Sequence, residues 1–209
     1  MNWGFISTII ILGAIVILYL WAQKAAVSSK EIALLAALSA IAALGRVPFA
    51  AIPSVQPTTF IVMLTACVFG PQAGFMVGAS AALVSNFFLG QGPWTPWQMI
   101  GWGMVGAVTA YLYRLLPGLK PVGLACIGLV WGYLFGWVQN LGFWIAFVYP
   151  LNLKSFLAAY ASSLIFDSLH AVCNFCFCLF LSAPVIKILQ EYKDKIYYRN
   201  ISSDDGKNP

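Results

Sequence analysis

Seven long apolar runs divide the chain, and glycines, prolines and a few charges mark their ends. Their length is helical and they show no two-residue alternation, so they predict membrane-spanning helices and exclude a β-barrel. The first run covers 3–21. No basic segment precedes it, so a retained helix is expected, although Ala-Gln-Lys-Ala-Ala at 22–26 resembles a cleavage region. The second, 31–45, begins after Lys30 and is broken by Arg46, Pro48 and Pro53. A third covers 58–69, and Gly70-Pro71 turns it into a fourth, 72–89. Gly90-Gln91-Gly92-Pro93 ends that run, and Pro96 stands at the start of the fifth, 97–116. The sixth spans 122–148 and is closed by Tyr149-Pro150. The seventh follows Lys154 and continues to about 188. From Ile196 the tail is polar and is expected to be disordered.

Composition agrees with this pattern. The chain is 61% hydrophobic and 8% charged, with a mean hydropathy of +0.87, whereas a soluble domain carries about a quarter charged residues. The fold class is therefore an all-α integral membrane protein embedded in a lipid bilayer, with no length left for a soluble catalytic domain. The net charge of +5 lies in loops and tail and implies no nucleic-acid partner. Lys and Arg concentrate on the cytoplasmic side of membrane proteins. With the C-terminus in the cytoplasm and the N-terminus outside, Lys24, Lys30, Arg114, Lys120, Lys187, Lys193, Lys195, Arg199 and Lys207 fall inside, and only Arg46 and Lys154 fall outside.

Small residues recur at every fourth position: Gly70, Gly74 and Gly78, then Gly128, Gly132 and Gly136, with the pairs Ala33/Ala37 and Ala36/Ala40 on the second run. This spacing lets membrane helices approach closely. Most such faces pack within one protein, and an Ala face on an Ala-rich helix is a candidate for docking a partner subunit. Cys67, Cys126, Cys173, Cys176 and Cys178 all lie in apolar segments. The last three diverge around a helix and read as small apolar filler, so no metal site is expected.

The seventh run carries Asp167, His170 and Asn174 at offsets of three and four, a single stripe on a helix. An ionisable group in hydrocarbon faces a bundle interior or a water-filled cavity. The stripe is either a helix–helix hydrogen-bonding seam or the wall of a ligand pathway. Other polar groups gather toward the external ends: Arg46 and Gln56, then Ser85, Asn86 and Gln91, then Trp94, Thr95, Trp97, Gln98 and Trp102, then Gln139, Asn140 and Trp144. Amides in lipid must find partners. Several at one depth, mixed with tryptophans, predict a pocket open to the outside, while Trp94 and Trp97 also suit an interfacial belt. Such a pocket fits a bulky, amphipathic, largely neutral ligand better than an inorganic ion. The chain has no G-x-x-x-x-G-K-[ST], G-x-S-x-G or H-E-x-x-H motif. An intramembrane enzyme would have to use Asp167 with His170.

The segment from Glu31 through Gly45-Arg46-Val47-Pro48 resembles the first core helix of substrate-binding S components of energy-coupling factor (ECF) transporters. Gln56-Pro57-Thr58-Thr59 and Phe69-Gly70-Pro71-Gln72-Ala73-Gly74-Phe75 resemble the next two helices of that family. The run Ser85 to Met99, with Gly92-Pro93-Trp94-Thr95-Pro96-Trp97-Gln98, and the segment Phe166 to Ala171 with Asn174 resemble a subgroup associated with cobalamin-type substrates. The resemblance implies a six-helix substrate-binding core over 30–192; the extra N-terminal helix and linker over 1–29 depart from that six-helix pattern, and a polar cytoplasmic tail is expected over 193–209. It implies capture of a vitamin-like micronutrient outside the cell, at a bacterial plasma membrane. It also implies docking through Ala33, Ala36, Ala37 and Ala40 on a transmembrane T subunit with two ATPase subunits. Arg46, Gln56, Asn86, Trp94, Trp97, Gln98, Trp102, Asn140, Trp144, Asp167 and His170 are the expected substrate-binding set. Cobalamin or a related corrinoid is the favoured ligand, with queuosine-type bases, lipoate and other vitamins as further candidates. No catalysis and no cofactor are expected. An intramembrane enzyme and a stand-alone secondary carrier are the competing readings.

Overall fold

In the computed structural model, which describes residues 3–22 and 28–204, the chain forms seven helices and, among the described residues, no strand. They are α1 (Trp3–Ala22), α2 (Ser29–Leu44), α3 (Thr58–Phe69), α4 (Pro71–Leu89), α5 (Trp94–Leu115), α6 (Pro121–Phe147) and α7 (Leu153–Asp204). The cleavage-like stretch and Lys24 and Lys207 lie largely or wholly outside the described residues.

Local chemistry accounts for the boundaries. The Ser28 hydroxyl caps α2 by accepting from the Glu31 backbone N–H at 3.2 Å. Gly70 links α3 to α4 at φ 92°, a conformation that disfavours any side chain, and Pro71 then opens α4 where no backbone donor is needed. Helix α5 starts three residues earlier than the sequence pattern predicts. Pro96 falls in its first turn, where N–H groups have no intrahelical acceptor, so proline is tolerated there. Helix α7 departs most from expectation: it continues to Asp204, so 196–204 are helical rather than disordered. Nothing between Ile188 and Asn200 breaks a helix, and Glu191 stands four residues before Lys195. At 52 residues, α7 is about 78 Å long, far more than the roughly 30 Å hydrocarbon core, so one end projects beyond the membrane.

Four helices, α1, α4, α6 and α7, are long and apolar enough to cross a membrane. Helices α2 and α3 are shorter, at 16 and 12 residues, and α5 is diluted by Thr95, Gln98, Gly101, Gly103 and Gly106. The short α3 forms the centre of the bundle, with Thr58, Thr59, Val62, Met63, Leu64 and Thr65 fully buried. Helix α1 packs on the outside, through buried Ile15 and through Tyr19, which bonds Ser80 at 2.8 Å and meets the Phe75 ring edge-on.

Both glycine stripes are internal. A Cβ on Gly78 would lie 2.3 Å from the Trp102 carbonyl oxygen, and one on Gly106 would lie 2.2 Å from the Gly74 carbonyl carbon, so α4 and α5 touch backbone to backbone. A Cβ on Gly132 would lie 2.2 Å from Ala171 Cα, and one on Gly136 would lie 2.1 Å from an Asp167 carboxylate oxygen. The α6 stripe thus seats the polar seam of α7. The Ala pairs of α2 behave differently: Ala33, Ala36 and Ala37 are exposed and Ala40 is half-buried, while Leu35, Leu38 and Ser39 point into the bundle.

Candidate ligand site

At the end of the bundle that carries the α2–α3, α4–α5 and α6–α7 loops, α5 and α6 enclose a cavity of about 310 Å³. Pro93, Trp94, Trp97 and Gln98 form one wall; Gln139, Asn140, Gly142, Phe143 and Phe147 form the other. Gly142 is required there, because a Cβ would lie 2.6 Å from the Trp97 indole, which lies against the α6 backbone. The Gln139 amide nitrogen donates to the Trp97 carbonyl at 3.1 Å and holds the walls together.

Behind the Gln98 wall lies a polar cluster built on Arg46, which is 8% exposed. Its Nε donates to Gln56 Oε1 at 2.9 Å, and its Nη1 donates to Ser85 Oγ at 2.5 Å and Asn86 Oδ1 at 3.1 Å. The guanidinium also lies 4.6 Å from the centre of the Trp102 ring. Its partners are neutral acceptors and a ring face. The Asn86 amide nitrogen donates onward to Thr95 Oγ1 at 3.0 Å and Gln98 Oε1 at 2.8 Å.

A second chain of hydrogen bonds runs through the core. Trp102 Nε1 donates to Thr59 Oγ1 at 3.0 Å, and Thr59 is 3.0 Å from His170 Nε2. The Nδ1 of His170 lies 2.9 Å from the Ser54 carbonyl oxygen. One tautomer satisfies all three: Nδ1–H donates to Ser54, and Nε2 accepts the Thr59 hydroxyl proton while Thr59 accepts from the indole. Asp167 belongs to a different group. Ser163 donates to its Oδ2 at 2.8 Å, and the Asn140 amide nitrogen reaches Ser163 Oγ at 2.6 Å and the carboxylate at 3.4 Å. Asp167 and His170 therefore have separate partners, α6 for one and the α2–α3 loop with α3 for the other. The nucleophile–base pair that an intramembrane enzyme would need is not assembled. Asn174, the third member of the stripe, is fully buried with both amide atoms unpaired.

Of the predicted set, Trp94, Trp97, Gln98 and Asn140 line the cavity. Arg46, Gln56 and Asn86 stand behind it, and Asp167 stands behind Asn140. Trp102 and His170 lie in the core chain. Trp144 turns to the start of α7, where its Nε1 donates to Ser155 at 3.0 Å and its ring meets Phe156 edge-on. Sequence reasoning placed Gln139 at the right depth but left it out of the set, and it left out Phe143 and Phe147 altogether. All three recur every fourth residue, a single helical face that the sequence displays.

Two other cavities differ in character. One of about 460 Å³ on the outer face of α7 is lined by Val55, Leu169, Val172, Cys173, Cys176 and Phe177, with Phe180 and Leu181, and its only polar side-chain groups are the two weakly hydrogen-bonding thiols. The other, about 410 Å³, adjoins the α5–α6 cavity through shared Pro93 and Phe147 and is closed by Gly4, Phe5 and Thr8 of α1.

A multi-pass helical bundle with an amide-and-tryptophan cavity near its end has the architecture of a solute-binding membrane protein. The chain belongs to the family described as ECF-type riboflavin transporter, S component, whose model matches residues 23–193. It is a substrate-specific transporter subunit and not an enzyme. A UPF0397 protein of Vibrio atlanticus is 31% identical, over 51% of this chain and 67% of its own length. UPF0397 proteins of Aliivibrio salmonicida and Aliivibrio fischeri are 30% identical, covering 55% and 67% of their own lengths. No solved structure matches the chain.

Proposed function

We propose that the α5–α6 cavity opens to the outside of a bacterial plasma membrane and captures a vitamin-like solute there. A T subunit with two ATPase subunits then drives the solute inward. The observation that carries this reading is the cavity itself, where three amides and two tryptophans converge without a lining charge. The nine-to-two distribution of Lys and Arg supports the external placement of this end. The exposed face of Ala33, Ala36 and Ala37, continued by half-buried Ala40, supports docking on a T subunit.

Riboflavin is the first candidate ligand. The volume, about 310 Å³, is at the lower end of the ~300–1,000 Å³ range of small-molecule sites, and the flat indoles of Trp94 and Trp97 suit a fused planar ring. A cobalamin-type corrinoid is the second. It needs more room, and the adjoining 410 Å³ cleft is the observation that favours it.

Cells expressing this chain with an ECF module should accumulate labelled riboflavin, and cells expressing the chain alone should not. Accumulation without the module would identify a secondary carrier instead. Accumulation of labelled cobalamin, and not riboflavin, would select the second ligand.

A further inference from the structure

We propose that Arg46 and Asp167 act from behind the cavity to fix the orientation of its amides, so that the site selects a ligand whose ring edge pairs a carbonyl oxygen with an N–H. The proposal rests on the reading of the α5–α6 cavity as the ligand site and adds the chemistry of what it recognises.

An amide side chain presents an oxygen acceptor and a nitrogen donor, and either can face a neighbour unless something forces the choice. Arginine only donates. Its Nη1 therefore requires the oxygen of Asn86 to face it, at 3.1 Å. The Asn86 nitrogen is then turned toward Gln98, 2.8 Å away, and requires an oxygen there. With Gln98 Oε1 engaged, its Nε2 is the polar atom with no protein partner, and it can donate into the cavity that Gln98 lines.

The opposite wall is set by the opposite charge type. The Asp167 carboxylate accepts the Ser163 hydroxyl proton at 2.8 Å, which leaves the Ser163 oxygen as acceptor for the Asn140 amide nitrogen at 2.6 Å. The same nitrogen leans toward the carboxylate at 3.4 Å. Asn140 Oδ1 is left without a protein partner on a residue that lines the cavity. Gln139 follows suit: its nitrogen is held by the Trp97 carbonyl, and its Oε1 is left as an acceptor.

The cavity thus offers a donor on the α5 wall and acceptors on the α6 wall. An imide or lactam edge, C=O beside N–H, meets both at once. A ligand with only acceptors, or one whose ring nitrogen is alkylated, leaves Asn140 and Gln139 facing a group that cannot donate. Arg46 and Asp167 are positioning residues here, because each reaches the ligand only through another side chain.

The test measures binding of lumiflavin and of 3-methyllumiflavin, which lacks the ring N–H, to the purified full chain by tryptophan fluorescence quenching. Native mass spectrometry of the same preparation records any small molecule carried from the cells. The parent should bind lumiflavin at least tenfold more tightly than the methylated ring, the usual cost of one lost buried hydrogen bond. In Asp167→Asn, whose amide can donate as well as accept, Asn140 is free to turn and the ratio should fall. Asp167→Glu, which still only accepts, should keep it. A merely structural role for Asp167 would weaken both ligands alike and leave the ratio unchanged, which would overturn the proposal. Equal binding of the two rings by the parent would also overturn it, with the site reading intact. Binding of neither ring while another small molecule co-purifies would overturn it too. Binding of neither ring with nothing co-purified would remove the site reading itself. If Asp167→Asn fails to fold, Gln98→Met, which deletes the donor on the α5 wall, replaces it. Loss of lumiflavin affinity by at least tenfold is expected, and unchanged affinity would overturn the proposal.

Discussion

Ala37→Trp should abolish ATP-driven uptake while leaving ligand binding by the isolated protein intact. Ala37 is exposed on α2, on the face opposite Leu35 and Leu38. An indole there meets no other part of the bundle, so the fold tolerates it. In a packed helix–helix interface the same change has no room. Overpacking costs about 1–3 kcal/mol in a well-packed core, and a full indole between two close helices exceeds that. Pull-down of the T subunit by tagged Ala37→Trp should fail, and thermal stability should match the parent. Loss of binding by the isolated variant would place this face inside the protein's own packing. Ala40 is a poorer probe, because it is half-buried and a large side chain there would disturb the bundle as well.

Trp97→Ala should weaken ligand binding at least a hundredfold. The indole is 8% exposed, lies against Gly142 and forms the flat side of the cavity. Removing it deletes the main apolar contact surface and leaves a void that water enters. Buried Trp→Ala changes cost about 3–5 kcal/mol, so stability will fall as well, and a thermal melt must accompany the binding measurement. Trp97→Phe separates the two effects: it keeps a ring on Gly142 and should recover most of the stability and part of the affinity. Equal binding by the parent and a folded Trp97→Ala would remove this cavity from consideration.

The helical bundle was legible because lipid leaves the chain few choices. Each apolar run must satisfy its own backbone, and Gly70-Pro71, the Gly90–Pro93 segment and Tyr149-Pro150 mark the ends. The glycine stripes were legible as close-packing faces for the same reason, and the structure seats both within the chain. The extension of α7 was not, because a polar stretch reads alike whether it is helical beyond the membrane or unstructured. The site was legible in depth but not in angle. Trp97 and Trp102 are one turn and a half apart, about 140° around the helix, so one lines the cavity and the other enters the core. Trp144 lies four residues beyond Asn140 and shares its side toward α7, where Ser155 takes it. Asp167 and His170 are about 60° apart on their helix, enough to send one to α6 and the other to α3. The Arg46 cluster joins residues 10 to 40 positions apart, and no local pattern encodes such a meeting.

The central claim is that this S component holds a vitamin-like molecule between α5 and α6, and native mass spectrometry of the protein purified in mild detergent tests it most directly. The parent should carry one small molecule of vitamin size, identifiable after release. The Trp97→Ala variant, held below the melting temperature its own thermal melt records, should carry none and should still capture the T subunit. A bound molecule retained in full by that variant would contradict the account.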